Sequence, residues 1–122
     1  MFKISVTTKF AAAHQLRGYE GPCENLHGHN WVIKAKIGSE RLDEIGMVYD
    51  FKKLKIHLNE IVDKFDHQFL NEVKPFDEIN PTSENLAKYI FESLAAKLPK
   101  GIEVVAIDVG ESEQYVSSYE AS

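Results

Sequence analysis

One cysteine, Cys23, stands among 122 residues. No internal disulfide can form, so the core alone must hold the fold, and a reduced compartment suits the chain. No run approaches the ~18 consecutive apolar residues of a membrane span. The opening stretch MFKISVTTKF alternates apolar and polar residues and lacks the continuous apolar region of a signal peptide, which predicts a cytoplasmic protein. There is no long basic block. With 14 Lys and Arg against 19 Asp and Glu the formal charge is -5, so a nucleic-acid backbone is a poor partner, although a few local cations could still hold a small anion. No internal repeat, linker or low-complexity tract interrupts the chain.

What remains is ordinary globular material, 43% hydrophobic and 27% charged. The length predicts a single domain, residues 1–122, since domains run to roughly 100–200 residues. A chain near this size buries about two thirds of its unfolded surface.

Phe2, Ile4, Val6, Thr8, Phe10, Ala12 and His14 share one parity and predict a first strand. Gly18, Gly21 and Pro22 break the chain after it. A second strand is expected from about His29 to Ile37, with Trp31, Ile33, Ala35 and Ile37 on one face and Lys34 and Lys36 on the other. Residues 38–46 read as a turn or long hairpin loop. Asp50 is placed to cap a helix whose stripe is Phe51, Leu54, Leu58, Ile61, Val62 and Phe65. Residues 66–81 read mostly as loop. Thr82 or Ser83 caps a second helix with the stripe Leu86, Ile90, Leu94 and Leu98. A third strand is expected over 102–111, with Val105, Ile107, Val109 and Glu111 on one face, and a short fourth over 115–119. The order ββααββ predicts an α+β domain: a mostly antiparallel four-stranded sheet with two helices on one side. Its sheet edges are left uncovered, which favours pairing with another subunit.

Three histidines draw attention. His27 and His29 flank Gly28, and i, i+2 residues of an extended chain project from one face. His14 ends the first strand. If the two strands pair as a hairpin, three imidazoles converge, the donor set of a catalytic zinc site with an open position. The plainer alternative is a polar turn and a hydrogen-bonded core histidine. Cys23 admits three readings: a fourth metal ligand, a thiolate nucleophile or base near the metal, or a small buried side chain. Asp66 and His67 could orient each other or a substrate proton, or His67 could simply complement a helix terminus. Glu111 closes an apolar strand face, where it either reaches solvent or accepts hydrogen bonds from a ligand. His57, Glu113, Glu120 and the lysines 52, 53, 55 and 64 read as solvated or partly buried residues without a chemical role. Thr82 and Ser83 have a sufficient structural reason as caps.

Taken in order, the blocks Phe10-x-Ala12-Ala13-His14, Cys23-x-x-x-His27-Gly28-His29-Asn30, Gly46-x-Val48-x-Asp50-Phe51, Asp66-His67-x-x-Leu70-Asn71, Pro81-Thr82-Ser83-Glu84-Asn85-Leu86-Ala87 and Val109-x-Glu111-Ser112 span nearly the whole chain. Together they resemble the 6-pyruvoyl-tetrahydropterin synthase and 6-carboxytetrahydropterin synthase family. The resemblance implies a tunnelling fold, in which sheets of several subunits close a barrel as trimers paired into hexamers, with active sites at subunit interfaces. It implies Zn²⁺ on His14, His27 and His29, Cys23 as catalytic thiol with Asp66 and His67, Glu111 as the anchor of a pterin ring, and Thr82 and Ser83 in a substrate-binding segment. The implied substrate is 7,8-dihydroneopterin triphosphate. Side-chain cleavage would give the 6-carboxy product of queuosine-precursor synthesis; triphosphate elimination would give the pyruvoyl product. The short chain without insertions favours the first. Phe65, where Leu is common, and Glu24, directly after Cys23, depart from the pattern. A zinc-binding structural module and a generic metal-dependent hydrolase are the competing readings.

Overall fold

The computed structural model describes residues 1–20 and 26–122. Strands β1 (Phe2–His14) and β2 (His27–Ser39) form the long hairpin that the alternation predicted. Their antiparallel register sets Phe10 opposite Trp31, Ala12 opposite His29 and His14 opposite His27. Side chains of opposed residues lie on the same face of a sheet, so all three imidazoles join the face that carries Phe10 and Trp31. That face is the buried one: Phe10, Ala12, Trp31, Ile33, Ala35 and Ile37 are in the core.

Helix α1 (Phe51–Val62) starts at Asp50, whose carboxylate accepts the Lys52 N–H at 2.7 Å. It buries Leu54, Leu58, Ile61 and Val62. Phe51 belonged to the predicted stripe but is 58% exposed. It is the first residue of the helix, and the packed face begins one turn later, at Leu54. A 3₁₀ turn, Asp63–Phe65, carries Phe65 back into the core. Helix α2 (Ser83–Ala95) starts at Thr82, whose hydroxyl accepts the Asn85 N–H at 3.1 Å, and buries Leu86, Ala87, Ile90 and Leu94. Each fully buried large aliphatic side chain stabilises the fold by about 1.5–3 kcal/mol.

The four expected strands are present, with β4 at Glu103–Gly110 and β5 at Val116–Glu120. A fifth corrects the expected count. Gln68–Phe69, β3, pairs in parallel with Ala12–Ala13, giving the order β3-β1-β2-β4-β5. Two residues carry no readable alternation, so the sequence reads as loop there. A bulge corrects the third strand's face. Ile37 pairs with Val104 and Lys36 with Ala106, leaving Val105 as the extra residue. The buried set is therefore Val104, Ile107 and Val109, and Val105 does not share their face. No helix among the described residues is long and apolar enough to cross a membrane.

Candidate metal centre

His14 is fully buried, while His27 and His29 are half-buried beside it. One nitrogen from each lies within 4.8 Å of the other two. Trp31 forms the floor. It is fully buried, meets both His14 and His29 edge to face with ring centroids at 4.9 and 5.3 Å, and donates its indole N–H to the Ala12 carbonyl at 3.1 Å.

The protons of this cluster are constrained. The Pro81 carbonyl, 2.7 Å from His14 Nδ1, can only accept, so Nδ1 carries the proton and Nε2 presents its lone pair. That Nε2 faces His27 Nε2 at 3.0 Å. His29 Nε2 is buried and has no hydrogen-bond partner among the described residues. Glu111 Oε2 approaches it at 3.5 Å, which is charge proximity only and counts as an ion pair only with a protonated ring. Burial pushes the pKa of both His14 and His29 below the ordinary histidine value, against the opposing pull of Glu111. Neutral rings, one with its outer nitrogen tied to a carbonyl and another with an orphaned inner nitrogen, fit a divalent metal that favours imidazole.

Glu111 follows β4 and is brought to the cluster, with its side chain 22% exposed. Thr82 and Ser83 follow Pro81, the residue that fixes His14, but their hydroxyls are engaged. Thr82 caps α2, and Ser83 Oγ bonds Ser117 Oγ at 2.7 Å and Glu84 at 3.0 Å.

Asp66 and His67 lie elsewhere, on the outer edge of β1. Asp66 Oδ1 accepts the Ala11 N–H at 3.0 Å, and the His67 N–H donates to the Ala11 carbonyl at 2.6 Å. Asp66 Oδ2 is 3.0 Å from His67 Nδ1. The Ala11 amide, then the His67 ring, hold the Asp66 carboxyl below its usual range. His67 takes a left-handed backbone, φ 59°, which few non-glycine residues adopt, and its side chain is 80% exposed. It lines an open groove of about 560 Å³ whose walls include Ala11, Ala13, Gly28 and Asn30, positions whose parity points away from the three imidazoles, and also His29 of the cluster. Cys23 and Glu24 lie outside the described residues. His57, which the sequence left without a role, stacks on Tyr49 and bonds its hydroxyl at 2.8 Å. The Pro81 carbonyl escaped the sequence reading, since a backbone acceptor leaves no residue-type signal; Trp31 was already on the face of His27 and His29.

A family model described as 6-pyruvoyl tetrahydropterin synthase matches residues 3–122. The chain belongs to this family. It is 43% identical over 110 residues to an Archaeoglobus fulgidus protein that carries the provisional name 6-carboxy-5,6,7,8-tetrahydropterin synthase, covering 90% of this chain and 88% of that one. A Synechocystis protein named 6-carboxy-5,6,7,8-tetrahydropterin synthase is 40% identical over 112 residues, covering 88% and 85%. The solved structure of Caenorhabditis elegans 6-pyruvoyl tetrahydropterin synthase superposes with a TM-score of 0.87 at 32% identity, over 99% of this chain and 96% of that one. The fold of the family is thus the fold of this chain.

Proposed function

We propose that the chain is a zinc-dependent 6-carboxy-5,6,7,8-tetrahydropterin synthase. It would convert 7,8-dihydroneopterin triphosphate and water to 6-carboxytetrahydropterin, acetaldehyde and triphosphate, a lyase reaction on the queuosine-precursor route. The observation that carries this reading is the identity of 40–43% to relatives of that name, joined to an intact three-imidazole cluster. No external oxidant is needed, because the pterin ring takes up the two electrons that the side-chain carbon gives up.

His14, His27 and His29 would hold the ion through neutral nitrogens. Bound Zn²⁺ supplies Lewis acidity toward the substrate's side-chain hydroxyls. Glu111 accepts ring N–H groups and so sets the substrate's register, with the backbone around Thr82 and Ser83 beside the ring. Cys23 takes or relays a proton as thiolate, and His67, held by Asp66, is the partner acid or base. One folded domain would assemble through its sheet edges into trimers or hexamers in the cytoplasm, with sites between subunits. The second reading, 6-pyruvoyl-tetrahydropterin synthesis by triphosphate elimination, is favoured by the likeness to the Caenorhabditis elegans enzyme structure. Zinc-loaded protein incubated with 7,8-dihydroneopterin triphosphate, with products identified by mass, decides between them. Acetaldehyde with a carboxylated ring supports the proposal, a pyruvoyl side chain replaces it with the second reading, and unconsumed substrate overturns both.

A further inference from the structure

Two side-chain amides stand in for a missing strand just beyond His14. Asn71 Oδ1 accepts the Gln15 N–H at 2.9 Å, and Asn71 Nδ2 donates to the Gln15 carbonyl at 2.8 Å. Asn80 does the same to Arg17: Oδ1 accepts its N–H at 2.8 Å, and Nδ2 donates to its carbonyl at 3.1 Å. Residues i and i+2 each trading both backbone groups with a neighbour is the pattern of a strand pair. Arg17 returns the contact. Its guanidinium donates to the carbonyls of Phe76 at 2.8 Å, and of Ile79 and Asn71 at 3.3 Å, all in the segment that carries the two asparagines.

Asn80 also sits one residue before the Pro81 carbonyl that receives the His14 Nδ1 proton. Its own carbonyl is fixed by the Thr82 N–H at 2.8 Å and by Asn85 Nδ2 at 2.9 Å. Its side chain therefore pins the chain that leaves His14, while its backbone leads directly into the acceptor that orients the His14 ring. We infer that Asn80, with Arg17 and Asn71, is a positioning residue for metal binding: a latch that holds the Pro81 carbonyl on His14 Nδ1 and so keeps Nε2 aimed into the cluster. The inference rests on the metal reading of the three histidines and adds residues to it. The chemistry explains the residue type. Each latch position needs a donor and an acceptor on one short planar group, which asparagine supplies and an ionised aspartate does not.

The test is Asn80→Asp, which keeps the shape and the acceptor for the Arg17 N–H but sets a carboxylate oxygen against the Arg17 carbonyl. Two signals are read. In the metal-free protein, NMR should show a slowly exchanging His14 Nδ1–H proton that the variant loses. In Zn²⁺ titration by competition with a chromophoric chelator, the variant should bind about 10–100-fold more weakly, as metal sites do when a partner of a ligating histidine is disturbed. Asn59→Ala, which removes the remote Thr8 hydroxyl contact, serves as the control for general destabilisation and should leave zinc affinity unchanged. Unchanged zinc affinity in Asn80→Asp, with tight binding by the wild type, overturns the latch and leaves the metal site standing. A wild type that binds no zinc, yet loses the His14 proton signal in the variant, overturns the metal reading and the latch's role in it. Should Asn80→Asp not fold, Arg17→Lys removes the three-carbonyl fork and keeps both amide pairs; unchanged zinc affinity and an unchanged proton signal there overturn the inference.

Discussion

Leucine at position 29 should stabilise the metal-free protein, and leucine at position 14 should destabilise it, although both remove an imidazole from the same cluster. The difference lies in what each ring satisfies. His29 Nε2 is buried without a hydrogen-bond partner among the described residues, whereas His14 Nδ1 serves the Pro81 carbonyl at 2.7 Å. An unsatisfied buried polar group costs about 1–3 kcal/mol. His29→Leu removes such a group and puts a side chain of similar bulk against Trp31, so the gain is of that order. His14→Leu instead creates one at the Pro81 carbonyl, and the loss is of that order. For a domain of this size each kcal/mol moves Tm by roughly 3–6 °C.

The assay is thermal unfolding of both variants and the wild type in a chelator, repeated with zinc. Zinc at 100 times its Kd should raise the wild type by about 2.7 kcal/mol and leave both variants where they were. A metal-free gain in His29→Leu of less than about 2.7 kcal/mol is thus reversed when metal is added. A metal-free His29→Leu less stable than the wild type would refute the reasoning. The 3.5 Å approach of Glu111 to His29 would then be a working bond, and the cluster a polar core rather than a site awaiting an ion.

Cys23→Ala should keep zinc and lose turnover by roughly 10²–10⁴-fold, the contribution of a positioned acid or base; zinc content and product formed on one preparation check it. His67→Gly should unfold no more easily than the wild type, because glycine adopts the left-handed backbone at φ 59° without the usual side-chain penalty, while activity falls; Tm and rate measured together test the trade. Acid should weaken the metal-free protein in two windows. His14 and His29 have folded pKa values below 6.5, so the unfolded chain binds more protons there and stability drops as pH falls below about that value. Asp66 has a folded value below 3.8, so its contribution is complete above 3.8 and is lost as pH falls through the lowered value. Denaturant midpoints from pH 8 to 3 that rise on acidification would contradict both.

The three-imidazole cluster was legible because alternation is a strong signal. His27, His29 and Trp31 share a parity with one another, and His14 shares one with Phe10, so any hairpin pairing those faces converges the rings. What pairs them is the register, His14 opposite His27, and sequence parity alone does not give that. The helices were legible through Asp50 and Thr82, whose side chains do what capping residues do. Three features were not. Val105 is a bulge residue, and an inserted residue in an unbroken Val-Val-Ala-Ile run has no mark of its own. Strand β3 is too short to show a period. The latch works through backbone groups of Gln15 and Arg17, so Asn71 and Asn80 look like loop asparagines until their partners are seen.

The placement of His67 bears on how the proposed chemistry is assembled. Asp66 and His67 sit on the outer edge of β1, and His67 lines the groove on the helix-free face, while the three imidazoles lie on the core face. Within one chain His67 thus starts from the edge of β1 and the rings from its core face, with His29 alone of the three lining the same groove. A closed symmetric assembly can set the edge of one copy against the site of the next. If the sites form between copies, two inactive variants should rescue each other. His29→Leu lacks one of the proposed metal ligands but keeps His67, and His67→Ala keeps the cluster. Mixed at equal amounts by refolding from denaturant, they should regain roughly a quarter of wild-type sites, since a site works only where an intact cluster meets an intact His67. The measurement is product formation by the mixture against each variant refolded alone, with co-assembly confirmed by an affinity tag on one of them. Co-assembled chains that recover no activity would place His67 and the cluster in the same subunit's site, reached around the end of β1 rather than across an interface.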